Sequence, residues 1–370
     1  MTFLTILFIA FTVIVGIQVV FYTTFLFAFS TKKDKLGLDR PIPISVIICA
    51  KNEAENLKQN LPIIINQNYD NFEIVLVNDC SYDNTLEVME QFKAKHNNIK
   101  IVDVKDTEAF WGNKKYALTL GIKASSFETL VFTDADCYPN SDQWLKHMSS
   151  KFSKEKHIVL GYGAYAKKKF SLLNSLIRFE TVLTALQYFS YSNIGMPYMA
   201  VGRNMAYRKE LFFNNSGFNN HMFVRSGDDD LFVNEVADSK NTAICYTNES
   251  FTISNPKTSF KDWFTQKRRH ISTSKYYKPL HKFVLVTFYS SQLLFWIFAI
   301  VLLISQVQWQ WILALILLRF IVQMLSFGLT AKKLNEGNLI YISPVLELFL
   351  ITFQLIIFSA NKISTPKHWK

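Results

Sequence analysis

The chain has 370 residues, a formal net charge of +11 and 49% apolar residues, with Phe occurring 33 times. That length suits one large domain or two ordinary ones. The basic balance comes with no nucleic-acid motif. The four cysteines, Cys49, Cys80, Cys137 and Cys245, are too scattered for a zinc site or a disulfide framework, and they are expected to stay thiols.

Residues 2–29 form one uncharged apolar run. A helix crosses a bilayer with roughly 20 such residues. No basic residue precedes the run and no small-residue cleavage site follows it, so it reads as a retained anchor rather than a signal peptide. Thr31-Lys32-Lys33-Asp34-Lys35 comes next. The positive-inside rule then puts residues 31–282 in the cytosol, and juxtamembrane lysines facing anionic lipid account for the charge.

An α/β domain is expected over residues 40–275. Ile44–Ala50 is short, apolar and β-branched, a buried strand followed by Lys51-Asn52-Glu53. A helix with an apolar stripe runs on to Gln67. Phe72–Val77 is a second strand, ending in Asn78-Asp79. Asp83-Asn84-Thr85 offers caps for another helix. A third strand lies over residues 100–104, Trp111-Gly112-Asn113-Lys114-Lys115 opens a helix, and Thr129–Thr133 is a fourth strand ending in Asp134-Ala135-Asp136. Strands alternating with helices imply a largely parallel sheet.

Ligands of such sheets gather beyond the C-terminal strand ends, where Glu53, Asp79 and Asp134/Asp136 all fall. Residues two apart in an extended segment point the same way, so Asp134 and Asp136 can address one hard divalent cation. Mg²⁺ is commonly held by one or two carboxylates plus substrate phosphates. Such an ion neutralises a diphosphate leaving group, which predicts a nucleotide-linked donor.

Pro43–Glu53, Val77-Asn78-Asp79-Cys80-Ser81-Tyr82-Asp83-Asn84-Thr85 and Asp134-Ala135-Asp136 resemble family 2 glycosyltransferases of the GT-A fold, over most of residues 43–270. The second stretch matches the family's D-D-x-S-x-D-x-T run, with Asn78 where many members have Asp and Cys80 where Gly is usual. The resemblance implies a Rossmann-like, mostly parallel sheet and an inverting sugar transfer. It also implies roles. Asp79 and Glu53 would contact the uridine base and ribose. Lys114 would approach the nucleotide or diphosphate. Asp134 would lie near the ribose and donor sugar, and Asp136 would ligate Mg²⁺ or Mn²⁺. Gly202 and Asn204, in Val201–Arg208, fall in the loop that lines the donor and acceptor sites. Ser226-Gly227-Asp228-Asp229-Asp230-Leu231 resembles the family's E-D-x-D-L run with Gly227 in the Glu position, which makes Asp228 the base, with Asp229 the alternative. Gln266-Lys267-Arg268-Arg269-His270 resembles the Q-x-x-R-W motif of processive members with His270 in place of Trp. Gln266, Arg268 and Arg269 are expected on the acceptor or diphosphate side.

Three more apolar runs, at about 283–304, 309–329 and 338–360, predict a multi-pass protein of the cell membrane. Lys332 and Lys333 obey the positive-inside rule. The tail Asn361–Lys370 does not: four crossings put it outside, yet it carries three Lys. Either the last segment does not fully cross or the rule is overridden. Arg319 and Glu347, within the third and fourth runs, are expected to pair, because charges at that depth are costly alone. Phe260, Trp263 and Phe264 among lysines and arginines suit a helix at the membrane interface. Residues 171–190 carry an apolar stripe and read as a core helix, with an acceptor-facing or interfacial helix as the alternative. The chain is thus expected to transfer a sugar from a nucleotide-sugar donor to a lipid-linked or glycan acceptor, in contact with membrane lipids. A processive polysaccharide synthase and a non-catalytic nucleotide-binding scaffold are the alternatives.

Overall fold

The computed structural model describes residues 3–34, 37, 41–105, 114–224, 226–306 and 308–364. An apolar helix α1 (Phe3–Phe25) runs on as a π-helical turn to Ser30. The catalytic-size domain follows as β1 (Ile44–Ala50), α2 (Ala54–Ile65), β2 (Phe72–Asp79), α3 (Thr85–Lys93), β3 (Ile99–Val104), α4 (Lys114–Ala124), β4 (Thr129–Asp134), β5 (Cys137–Pro139), α5 (Trp144–Ser149), β6 (Ile158–Leu160), β7 (Gly163–Tyr165) and α6 (Leu172–Asn193). Then come β8 (Met205–Arg208), α7 (Lys209–Asn214), α8 (Asp230–Val236), β9 (Thr242–Ile244), β10 (Thr252–Ser254) and α9 (Phe260–Ile271). Three long apolar helices end the chain: α10 (Pro279–Ser305), α11 (Trp309–Lys333) and α12 (Ser343–Ile363).

Seven strands form one mixed sheet in the order β3-β2-β1-β4-β8-β6-β9. β3, β2, β1 and β4 run parallel, and β8 is antiparallel to both its neighbours. A second sheet, β5-β10-β7, sits at its edge. Side chains alternate across a strand, so β1 serves two cores. Ile47 and Cys49 face a cluster that continues through α4 and α6 to Phe25, Phe288 and Leu346. Val46 and Ile48 face α2 and Trp144 on the other side. The first core therefore runs without a break from the sheet into the apolar helices. The register aligns the strand ends, Cys49 with Asp134 and Ala50 with Asn78.

Some elements differ from expectation. The strands β5 to β10 carry little pattern, being three or four residues long, and they make the sheet mixed. The last apolar helix starts at Ser343 rather than 338, because residues 337–339 form a 3-10 turn and Pro344 takes a first-turn position, where its missing N–H is harmless. Trp263 does not face lipid. It is 1% exposed and stacks on Phe353 of α12, with ring centroids 4.0 Å apart. α6 is a core helix. Its Arg178 forms a buried ion pair with Glu336 in the α11–α12 connection.

Candidate active site

The loops after β1 and β2 are sewn together by their own side chains. Asn52 N–H donates to Ser81 Oγ at 3.0 Å, Tyr82 N–H to Asn52 Oδ1 at 2.8 Å, and Glu53 N–H to Thr85 Oγ1 at 2.9 Å. Asp83 accepts from the N–H groups of Ala54 and Thr85. This carboxylate caps α3, whereas Asn84 makes no side-chain cap. Those three backbone bonds and the cap hold Asp79 and Glu53 at the sheet edge. Cys80 adopts φ +48°, a left-handed conformation that explains why Gly suits this position. Asn78 donates to Asp103 Oδ1 at 2.7 Å, a bond an Asp could make only as an acid.

Asp79 is 5% exposed, and its Oδ2 is buried with no hydrogen-bond partner among the described residues. Burial raises its pKa, with Lys51 and Lys114 opposing. An unsatisfied buried acceptor is costly to leave unmade, so this oxygen suits an outside donor that reaches it past Glu53, since Asp79 itself is not among the residues lining the cleft.

A cleft of about 1230 Å³ opens beside the strand ends, lined by Glu53, Lys114, Asp134, Asp136 and Asp228–Asp230. Lys114 Nζ lies 2.8 Å from Asp134 Oδ1 and 3.1 Å from Asp228 Oδ2, which ties the β4 end to the α8 start. Burial works against the charge on Lys114, and the two carboxylates more than offset it, holding its pKa well above the usual lysine value. The rest of the Trp111-Gly112-Asn113-Lys114 run lies outside the described residues. Asp134, Asp136 and Cys137 bring one ligand atom each to within 4.8 Å of one another. Burial and the charge of Asp134 push the Asp136 carboxyl up. A divalent cation between the two carboxylates relieves that repulsion, so the donor set fits a hard ion. The Cys137 thiol donates to Asp136 Oδ1 at 3.3 Å and meets Ser254 Oγ at 3.1 Å.

The three consecutive acids differ in their partners. Asp230 is buried and accepts from Thr273 Oγ1 and Tyr277 OH. Asp229 accepts from Gly202 N–H and Asp230 N–H, both at 2.7 Å. A Cβ on Gly202 would sit 3.1 Å from Asp229 Oδ2, so glycine permits this approach. Burial and the charges of Asp228 and Asp230 push Asp229 up to about 7. For Asp228, burial is outweighed by Lys114, and its carboxyl lies below the usual range. Gly227 has φ +94°, and a Cβ there would lie 2.5 Å from a Leu231 methyl, so Glu at this position would strain the backbone and displace the Leu231 side chain.

The other expected residues divide. Gly202, Gln266 and Arg269 line the cleft. Asn204 is fully buried. It donates to Tyr162 O and Ser250 O and accepts from Trp144 Nε1, so it braces the loop from within. Arg268 turns away and donates to Asn361 Oδ1 at 2.9 Å and Ala360 O at 3.2 Å, at the end of α12.

Two residues escape sequence reasoning. Arg203 lines the cleft, lies 4.2 Å from the centroid of the Tyr165 ring and donates to Gly163 O and Ser254 Oγ. Lys115 donates to His221 O at 2.7 Å and Val224 O at 2.9 Å. Their adjacency to Gly202 and Lys114 is the only signal.

Residues 45–214 match the family model "Glycosyl transferase family 2". The match takes in Glu53, Asp79, Lys114, Asp134 and Asp136 and stops before Asp228. A glycosyltransferase of Haloferax volcanii, AglE, is 30% identical over 171 residues, 46% of this chain and 51% of that protein. A poly-beta-1,6-N-acetyl-D-glucosamine synthase of Staphylococcus epidermidis is 34% identical over 99 residues, 27% of this chain and 23% of that protein. The chain thus spans about half or less of the curated relatives it matches. In fold it is similar to a mannosyltransferase of Pyrobaculum calidifontis solved with GDP-Man and Mn²⁺, with a TM-score of 0.60, 16% identity, and 93% of this chain and 99% of that one covered.

Proposed function

We propose that this glycosyltransferase is inverting and moves a sugar from a nucleoside-diphosphate donor, UDP-linked in the first instance, to a lipid-linked or membrane-associated acceptor on the cytosolic face. The observation that carries the reading is one cleft holding Asp134, Lys114 and Asp228 in contact and continuing to Tyr289 of α10 and Phe358 of α12. Asp79 and Glu53 bind the nucleoside. Uracil offers its N3–H to the unsatisfied Asp79 oxygen. Guanine offers an N–H at the same edge, so a GDP donor is the second reading. Lys114 steers the diphosphate. Asp136, with Asp134, holds a divalent cation, Mg²⁺ or Mn²⁺, which would supply charge neutralisation for the leaving group.

Asp228 is the base. Its carboxylate is ionised and faces the cleft, whereas both oxygens of Asp229 are occupied by backbone N–H groups. The acceptor hydroxyl passes its proton to Asp228 as its oxygen attacks the anomeric carbon opposite the diphosphate, which inverts that carbon. Gly202, Gln266 and Arg269 line the acceptor side. His270, where a flat Trp would stack on a growing chain, favours single transfer over processive synthesis. The test is calorimetric titration of the detergent-purified protein with UDP and with GDP, with Mn²⁺ and then with EDTA, beside Asp136→Ala. Binding that needs both the metal and Asp136 supports the donor site. No binding of either nucleotide overturns it, whereas nucleotide binding without sugar turnover would leave the scaffold reading.

A further inference from the structure

We infer that α12 does not cross the membrane but lies in the leaflet on the catalytic side, where with α9 and α10 it walls a lateral opening of the cleft. By length and composition α12 ranks with α1, α10 and α11 as a possible span. Its neighbours separate it from them. The far end of the helix bundle is an apolar cluster of Phe11, Val15, Phe295, Leu302 and Ile312, and among the described residues it draws on α1, α10 and α11 only. A fourth antiparallel span would contribute there.

The C-terminal half of α12 runs instead beside α9. Trp263 stacks on Phe353, and further along Arg268 and Asn361 exchange hydrogen bonds of 2.9 and 3.0 Å. α9 carries Lys261, Asp262, Lys267, Arg268 and Arg269, and its Gln266 and His270 line the cleft with Asp228. A helix so charged does not sit in hydrocarbon. The helix it accompanies therefore ends on the catalytic side. α12 also begins there, because the connection before it is tied to α6 by the Arg178–Glu336 pair.

The exposed residues fit a helix lying flat. Val345, Leu348, Phe349, Leu355 and Ile356 form one exposed apolar stripe. Gln354, Phe358 and Asn361 line the cleft with Val286 and Tyr289 of α10. The Phe358 and Tyr289 rings meet edge-on, with centroids 5.1 Å apart, so they form the gate an acceptor would have to part. An apolar face sunk in the acyl boundary with polar groups turned inward is the pattern of an interfacial helix. This arrangement also returns the tail lysines to the cytosolic side, where the positive-inside rule wants them. An acceptor carried on a hydrocarbon chain could then slide between α10 and α12 and present its hydroxyl to Asp228. That last step rests on the proposed membrane acceptor.

The experiment labels single cysteines with a membrane-impermeant maleimide in right-side-out and inverted vesicles. It uses the full chain with Cys80→Ser, the other native thiols being buried. Gln308→Cys, between α10 and α11, reports the far side. Ser364→Cys, just beyond α12, reports its end. The expected result is Gln308→Cys labelled from the outside and Ser364→Cys only from the catalytic side. Ser364→Cys labelled from the outside overturns the inference. If Gln308→Cys itself labels from the catalytic side, the spanning of α10 and α11 has failed and the inference falls with it. Should Ser364→Cys react from neither side, a green fluorescent protein fused at the C-terminus decides in a bacterial host: fluorescence supports a cytosolic end, and its loss at normal expression overturns it. For the opening, Phe358→Asp should lower transfer to a lipid-borne acceptor about tenfold, the scale of a lost apolar contact. Nucleotide binding should stay unchanged. Equal transfer by both proteins removes the opening, while loss of nucleotide binding in the unsubstituted chain removes the donor site instead.

Discussion

The Lys114–Asp134–Asp228 group in the cleft and the Arg319–Glu347 group among the helices share one chemistry, a cation against carboxylate, in different surroundings. The cleft side chains keep 19%, 32% and 13% of their surface exposed, whereas Arg319 and Glu347 keep 0% and 1%. Arg319 meets Glu347 through two bonds, and Gln18, Gln292, Gln323 and Tyr22 complete the network. A buried pair that is nearly saturated by its own protein has nothing left to offer a ligand. The cleft group has one lysine serving two carboxylates from different elements, and an exposed side through which a phosphate or a hydroxyl can enter. Exposure and partner count, more than charge, separate a site from a strut.

The sharpest way to break this comparison is to neutralise one member of each group. Asp228→Asn should leave nucleotide binding intact and lower sugar transfer by about 10²–10⁴-fold, the usual worth of a positioned base. Nucleotide titration beside turnover separates the two effects, and a variant with full turnover would remove Asp228 from the chemistry. Glu347→Gln should instead act on stability, costing about 3–5 kcal/mol by leaving the Arg319 charge uncompensated. The reading is the thermal midpoint in detergent, and Arg319→Leu with Glu347→Leu should recover most of the loss. Equal midpoints for Glu347→Gln and the unsubstituted protein would show the pair to be idle.

The acids of the cleft can be told apart by pH. A base must be ionised, so activity falls as pH drops through its folded-state pKa. Lys114 holds Asp228 below the usual carboxylate range, whereas burial and its two acidic neighbours push Asp229 up to about 7. With Asp228 as base, kcat/KM should stay level between pH 7 and pH 5. A decline centred near pH 7 that vanishes in Asp229→Asn would transfer the role to Asp229.

The positions of the acids proposed for the donor side were open to reading from the sequence, because each follows a strand of strong apolar pattern. Glu53, Asp79, Asp134 and Asp136 needed only the rule that parallel strands deliver their C-terminal ends to one edge. The acceptor half was less open. Gln266 and Asn204 lie in motifs of equal clarity, yet one lines the cleft and the other is sealed behind Trp144, a difference set by packing across the chain. Arg268 and Arg269 are neighbours on α9, and the helical turn alone sends the first to α12 and the second to the cleft. The course proposed for α12 is the hardest to read, since hydropathy reports that a helix suits lipid and not how it lies there. The misfit of the tail lysines was the one trace of it.

Lys115 offers the smallest effect and the finest edge to the comparison. It is 1% exposed, as buried as Arg319, yet it serves the cleft by donating to His221 O and Val224 O in the loop that leads to Asp228. Lys115→Met keeps the length of the side chain and removes both bonds. The loop should loosen, lowering kcat about tenfold, while nucleotide affinity holds, since no part of that loop belongs to the β1 or β2 ends. A purely structural role would shift the thermal midpoint alone, so a second reading is needed. Burial lowers the Lys115 pKa to about 8, against the pull of Asp228 and Asp230. Its charge is present below that pH and lost above it, and with it goes a countercharge to the three acids that adds to that of Lys114. The unsubstituted enzyme should therefore lose kcat on an alkaline limb near pH 8 that Lys115→Met lacks. If both proteins share the same limb, Lys115 is a strut like Arg319, and burial with saturated bonds is enough to make it one.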